Sequence, residues 1–196
     1  VSNSSASTQA GSKRVQVFNN NGFRIGADTD VNVNGEDFAS WSFRKAPGFF
    51  DVVTYTGNGT AGKTVAHSLG SVPGMIMVKC TSTGGTNWRV YHRSLGPTKA
   101  VFLDLTNAVN TSIGHWNDTA PTSTQFTLGT SNDVNNNGDT YVAYVFAHDD
   151  AQFGTGGNES IIKCGSYTGN GSTNGPEIDL GFEPQFLFLK CSSRGS

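Results

Sequence analysis

The pentapeptide Tyr55-Thr56-Gly57-Asn58-Gly59 recurs unchanged as Tyr167-Thr168-Gly169-Asn170-Gly171, an offset of 112 in a chain of 196 residues. The match runs on past it. With one residue deleted, Leu69-Gly70 aligns with Leu180-Gly181, Pro73 with Pro184, and Met75-Ile76-Met77-Val78-Lys79-Cys80 with Phe186-Leu187-Phe188-Leu189-Lys190-Cys191. A second pair lies at an offset of 103: Phe23-Arg24-Ile25-Gly26 against Phe126-Thr127-Leu128-Gly129, Asp30-Val31-Asn32 against Asp133-Val134-Asn135, Asn34-Gly35 against Asn137-Gly138, and Phe43 against Phe146. Self-similarity at a near-constant period marks a repeat architecture, in which each unit covers its apolar surface partly with its neighbours. The surplus between the two offsets falls in the glycine-rich stretch from Asp149 to Asn158.

One motif opens a unit and the other closes it, and their order sets the expected boundaries. Residues 1–12, rich in Ser and Thr, read as a linker or frayed terminus. Residues 13–48 read as the closing part of a preceding unit, 49–150 as a complete unit, 151–158 as a Gly-rich linker and 159–196 as the opening part of a following unit. The chain reads as a slice through a tandem array whose third unit lacks its Trp-containing strand.

Composition narrows the class of each unit. The 18 Asn, 20 Ser, 21 Thr and 25 Gly depress helix and favour turns and short strands, which argues against a helical enzyme domain. A net charge of −2 excludes a basic nucleic-acid binder, while 13 Phe, 5 Tyr and 3 Trp supply bulk that a disordered tract lacks. No apolar run is long enough to insert in a membrane, and the polar stretch from Val1 to Gly11 lacks the regions of a signal peptide. A first residue that is Val leaves secretion open. Three cysteines, Cys80, Cys164 and Cys191, make an odd count without metal-ligand spacing, so each reads as a small buried hydrophobe in a chain assembled under reducing conditions.

Thr140 to His148 alternates Tyr141, Ala143, Val145 and Ala147 with Val142, Tyr144, Phe146 and His148. Both faces are apolar, which predicts a central strand. Met75 to Cys80, Trp88 to His92, Val101 to Leu105 and Gln125 to Leu128 are further strands, and Asn34-Gly35 and Asn137-Gly138 carry the signal of type I′ hairpin turns. Tyr-Thr-Gly-Asn-Gly lacks the lysine of a phosphate loop and reads as a turn between strands. The expected fold is all-β, with antiparallel, jelly-roll-like β-sandwich units in tandem.

Chemistry is sparse. Asp28, Asp30 and Asn32 place oxygens at alternate positions, as a calcium loop does, but the glycine and glutamate of such a loop are missing and Asp28 becomes Ser131 in the other copy, which favours a turn. His67, His92, His115 and His148 lie in no recognisable catalytic motif, and no catalytic residue or cofactor is expected. Trp88, Tyr91 and Trp116 are candidates for stacking on sugar rings. Trp88 and Tyr91 fall on opposite faces of a strand, whereas Trp116, in the loop-like stretch His115 to Thr119, is expected to be exposed.

The train Tyr55 to Gly59, His67-Ser68-Leu69-Gly70, Val72-Pro73, Lys79-Cys80, Asn87-Trp88-Arg89-Val90-Tyr91-His92 and Gly138 to Ala147 resembles a tandem domain of unknown function found in virion structural proteins of tailed bacteriophages, notably marine cyanophages. The resemblance covers residues 49–196, and 23–48 through the internal repeat. It implies a tail or head fibre or other appendage subunit, non-enzymatic, assembled in the host cytoplasm and carried on the virion, with other virion proteins as partners. It also implies host-surface attachment, through which a host glycan becomes a possible partner. Fibres commonly cover apolar strands by three-fold association, so a homotrimer is expected. The rival readings are a carbohydrate-binding adhesin module of a bacterial surface or secreted protein, and a glycan-cleaving domain with two carboxylates roughly 5–9.5 Å apart.

Overall fold

The computed structural model describes residues 5–6 and 14–194, so most of the expected linker at 1–12 lies outside the described residues. Residues 14–43 form one unit, and residues 5–6 with 44–194 another. Residues 44–48, expected with the preceding unit, thus join the complete one. There Ala46 and Phe50 exchange backbone hydrogen bonds, and Lys45 reaches the buried carboxylate of Asp51 at 2.6 Å.

The smaller unit is a hairpin of β1 (Val15–Asn19) and β2 (Gly22–Ile25), followed by a helical turn at residues 28–32. Arg14 pairs with both Asp28 and Asp30, which makes the would-be cation ligands the acceptors of a guanidinium. Asn32 donates through its side-chain amide to Gly26 O at 2.8 Å. Among the described residues no cluster of His, Cys, Asp or Glu could hold a metal ion.

The larger unit is built on a six-stranded antiparallel sheet in the order β3-β10-β5-β6-β7-β8. Its strands are β3 (Phe50–Thr56), β5 (Met75–Cys80), β6 (Arg89–His92), β7 (Lys99–Phe102), β8 (Asn110–Thr111) and β10 (Thr140–Phe146). The ribbon of β4 (Lys63–Ala66) and β9 (Gln125–Leu128) pairs separately. Two single helical turns, α1 (Ile113–Trp116) and α2 (Asn132–Asn135), complete the fold, which is all-β apart from them.

Amphipathic patterning explains the layering. Ile76, Val78, Tyr91, Tyr141, Ala143 and Val145 on one face of the large sheet share a core with Val65 and Phe126 of the ribbon and with Trp116 and Val134 of the helical turns. β10 is central as its two apolar faces require, with β3 along one edge and β5 along the other. On its second face Phe50 and Trp88 stack on Tyr144, at centroid distances of 6.3 and 6.0 Å.

Several local expectations are corrected. The strand placed at Val101 to Leu105 is β7, ending at Phe102, because Leu103 N and Asp104 turn to the backbone of Trp88. The Asn-Gly turns are not type I′: only Gly35 and Gly138 have positive φ, at 85° and 83°, while Glu36 N donates to Val33 O and Asp139 N to Asn136 O, the type II pattern. Phe153, in the glycine-rich stretch, and Glu159 exchange reciprocal backbone hydrogen bonds, which leaves the reading of 151–158 as a linker untouched. Cys80 and Cys164 are buried thiols, but Cys191, expected in a buried strand, is exposed. Burial pushes the Cys164 thiol up to about 11.

Candidate functional site

The two repeated motifs meet in the larger unit. Tyr55 OH donates to Val134 O at 2.8 Å, and Asn58 N donates to Asn135 Oδ1 at 2.9 Å. Gly57 N donates to Asp139 O and Gly138 N returns a bond to Gly57 O, at 2.8 and 3.0 Å. Gly59 N donates to Asn135 O, and the Gly59 backbone has a φ of 67°, which disfavours any side chain there. The signature that opens a unit is therefore clasped by the motif that closes it, about eighty residues later in sequence.

Asn135 is the pin of this clasp. It is fully buried, and its amide donates to Gly129 O and Thr60 O at 2.7 and 2.9 Å while its oxygen takes Asn58 N. Ser131 caps the turn that carries it, accepting from Asp133 N, and Asp28 accepts from Asp30 N at the matching position of the smaller unit. Serine and aspartate are equivalent as caps, which accounts for the exchange of a carboxylate between copies.

A buried polar cluster braces α2 against β6. Arg89 grips Asp133 Oδ2 through Nε and Nη2, at 2.7 and 2.6 Å, and its guanidinium lies 3.7 Å from the centroid of Phe102. The burial of Lys79 lowers its pKa, but its Nζ is ringed by Cys80 O, Thr86 O and Thr86 Oγ1, all at 3.1 Å, and by Ser5 O. Sequence reasoning did not single out Arg89, Asp133, Lys79 or Asn135. Three of these four recur between copies, as Asp30, Lys190 and Asn32, and that identity was the available signal.

His115 in α1 donates from Nε2 to Asn110 Oδ1 at 2.9 Å, and Nδ1 is buried without a partner among the described residues. Burial, and then the Arg89 cation, push its pKa down to about 4, against a smaller opposing pull from Asp133. The native state holds the ring neutral while the unfolded chain takes up a proton below the ordinary 6.5, so stability is full above pH 6.5 and falls as pH drops towards 4. Thermal melts should show this loss, up to about 3 kcal/mol, and a His115→Gln variant should melt lower at neutral pH but with a shallower slope against pH. An unchanged slope would assign the titration elsewhere.

The sugar-stacking candidates do not assemble. Trp116, expected to be exposed, is 1% exposed. Ser112 caps the turn that swings its ring into the core, where Nε1 donates to Lys99 O. Tyr91 packs edge-on against it at 5.9 Å, and Trp88 lies half-buried on the other face of the sheet, against Tyr144. Tyr167, Gly169, Asn170 and Gly171 are exposed, with no strand formed around them.

The larger unit is an all-β fold closed by its own repeated motifs, with buried polar groups that brace its loops. The chain belongs to the family described as Domain of unknown function (DUF7483), whose model matches residues 1–196. No curated protein and no solved structure matches it.

Proposed function

We propose that this chain is a structural subunit of a bacteriophage appendage, a tail or head fibre, in which sandwich-like units follow one another in tandem and serve assembly and host-surface attachment. The observation that carries the reading is the clasp. An opening and a closing motif that lock together, and that recur as 167–171 and 30–35, suit a chain whose units follow in series. The buried polar groups serve bracing, which supports a non-enzymatic role, and thiols not engaged in disulfides suit assembly in a reducing host cytoplasm. Lateral association as a homotrimer belongs to the same proposal. The burial of Tyr91 and Trp116 weighs against the adhesin reading.

Antibodies raised against the chain should decorate the appendages of purified particles of the virus that encodes it. A coding genome without capsid or tail genes would overturn the reading.

A further inference from the structure

We propose that the tandem units are tied to one another by a joint that the chain contains twice. The loop between β7 and β8 of one unit lies against the end of β5 in the next, where the lysine at the penultimate position of β5 takes a main-chain carbonyl of that loop. The proposal rests on the tandem arrangement and not on the virion role.

The strand carries the first sign. Met75-Ile76-Met77-Val78-Lys79-Cys80 and Phe186-Leu187-Phe188-Leu189-Lys190-Cys191 differ at their first four positions and agree at Lys-Cys. Packing asks only for apolar bulk of about the right size, so those four positions exchange freely. A lysine kept in both copies of an apolar run asks for acceptors, because an ammonium leaves water only where its donors are met.

Both lysines find such an acceptor outside their own unit. Lys190 Nζ donates to Leu105 O, and close by Val109 N donates to Ser192 O at 2.8 Å. Lys79 Nζ, besides its partners within the larger unit, donates to Ser5 O at 3.3 Å, and Gly85 N donates to the same carbonyl at 2.9 Å. Each instance thus combines one lysine bond with one main-chain bond.

Residues 2–6 and 105–109 are the same place in two units. Carrying the offset of 103 upstream from Phe23 without a gap sets one against the other, and sets Thr8 on Thr111 and Gly11 on Gly114. At that offset β2 and β9 coincide end to end, Gly22–Ile25 against Gln125–Leu128. Residues 2–6, read above within a linker, therefore stand for the β7–β8 loop of the preceding unit. In both instances the loop belongs to the earlier unit and the lysine to the later one. A head-to-tail contact of this kind does not close on itself and can be repeated along an array.

The acceptor shifts by three positions between the two, since Ser5 stands opposite Ala108 and not Leu105. A main-chain acceptor permits this, because every residue offers a carbonyl. Loops as different as Ser2-Asn3-Ser4-Ser5-Ala6 and Leu105-Thr106-Asn107-Ala108-Val109 can then serve, and only the lysine has to recur. A glycine-rich connection alone leaves neighbouring units free to tumble. A hydrogen-bonded joint at every junction makes a stiff array of them.

The test is residue-resolved amide hydrogen exchange on the 196-residue chain, in which Val109 and Gly85 should both be protected. Lys190→Met, similar in size but without donors, should speed exchange at Val109 roughly tenfold or more. Gly85, the amides of β10 and the melting of the larger unit should stay as they were. Lys190→Arg, which keeps donors, should retain the protection. Deleting residues 1–6 should have the same effect at Gly85 and leave Val109 unchanged. Free-amide exchange at either site in the parent chain, or indifference of Val109 to Lys190→Met or of Gly85 to the deletion, would overturn the proposal. Protection at one site alone marks a local contact and not a joint between units. The tandem arrangement is tested apart from this, by the fold that 163–191 adopts in a chain long enough to carry a whole following unit. A path other than that of 51–80 would remove that arrangement, whatever the two amides do.

Discussion

Replacing Asn135 by alanine should unfold the larger unit at temperatures where the parent chain is fully folded. The substitution removes the acceptor of Asn58 N and the donor to Gly129 O and Thr60 O, all at a fully buried side chain. A buried backbone group left without a partner costs roughly 1–3 kcal/mol. The combined loss, about 4 kcal/mol or more, is a large part of the roughly 5–15 kcal/mol that holds a domain together. Asn135→Asp should be no better, since it keeps the acceptor for Asn58 N but turns a second oxygen against two carbonyls. Asn32→Ala, which removes the side-chain bond to Gly26 O in the smaller unit, should cost about 1 kcal/mol. Denaturant unfolding followed by the fluorescence of the buried Trp116 measures both Asn135 variants, circular dichroism follows the Asn32 one, and a midpoint unmoved by Asn135→Ala would show that the clasp does not hold the larger unit.

Gly57→Ala is the second large effect. The backbone at Gly57 is not left-handed, so only space forbids a side chain there, and a Cβ would lie 2.1 Å from Asn136 O and 2.9 Å from Asn135 C. Both obstacles are backbone atoms of the turn that carries the clasp. Relief requires moving that turn, at a cost of about 3 kcal/mol or more. Gly59→Ala meets only ordinary contacts, the nearest at 3.4 Å, and bears the left-handed penalty of about 1–2 kcal/mol. Denaturation midpoints should therefore rank Gly57→Ala well below Gly59→Ala. The reverse order would mean that turn conformation, and not close approach, makes this glycine part of the signature.

The central place of β10 was legible in the sequence, because a strand apolar on both faces has to be flanked and covered, and Tyr141 to Phe146 alternates without a charged residue. β5 and β9 were read with their observed ends, since turn residues bound each apolar run. β3 was not read as a strand, and the helical turns α1 and α2 escaped notice. A single turn has no period to detect, and only its cap, Ser112 or Ser131, marks it. The aromatic candidates failed for a related reason: exposure of Trp116 was inferred from polar neighbours, but α1 buries His115 and Trp116 together and leaves only Asp118 and Thr119 of the stretch His115 to Thr119 exposed.

By itself the sequence determined the class and the repeat. Small polar residues with scattered aromatics admit short strands and turns but no long helix, and identical motifs at near-equal offsets are visible without coordinates. Only the tertiary structure decided that the opening and closing motifs are two sides of one contact. Asn58 and Asn135 look like loop asparagines in a chain with 18 of them, and nothing local distinguishes a residue that caps its own turn from one that spans 77 positions to satisfy another. Buried hydrogen-bond partners are set by where the sheet brings the loops, a consequence of long-range strand pairing that no window of sequence contains.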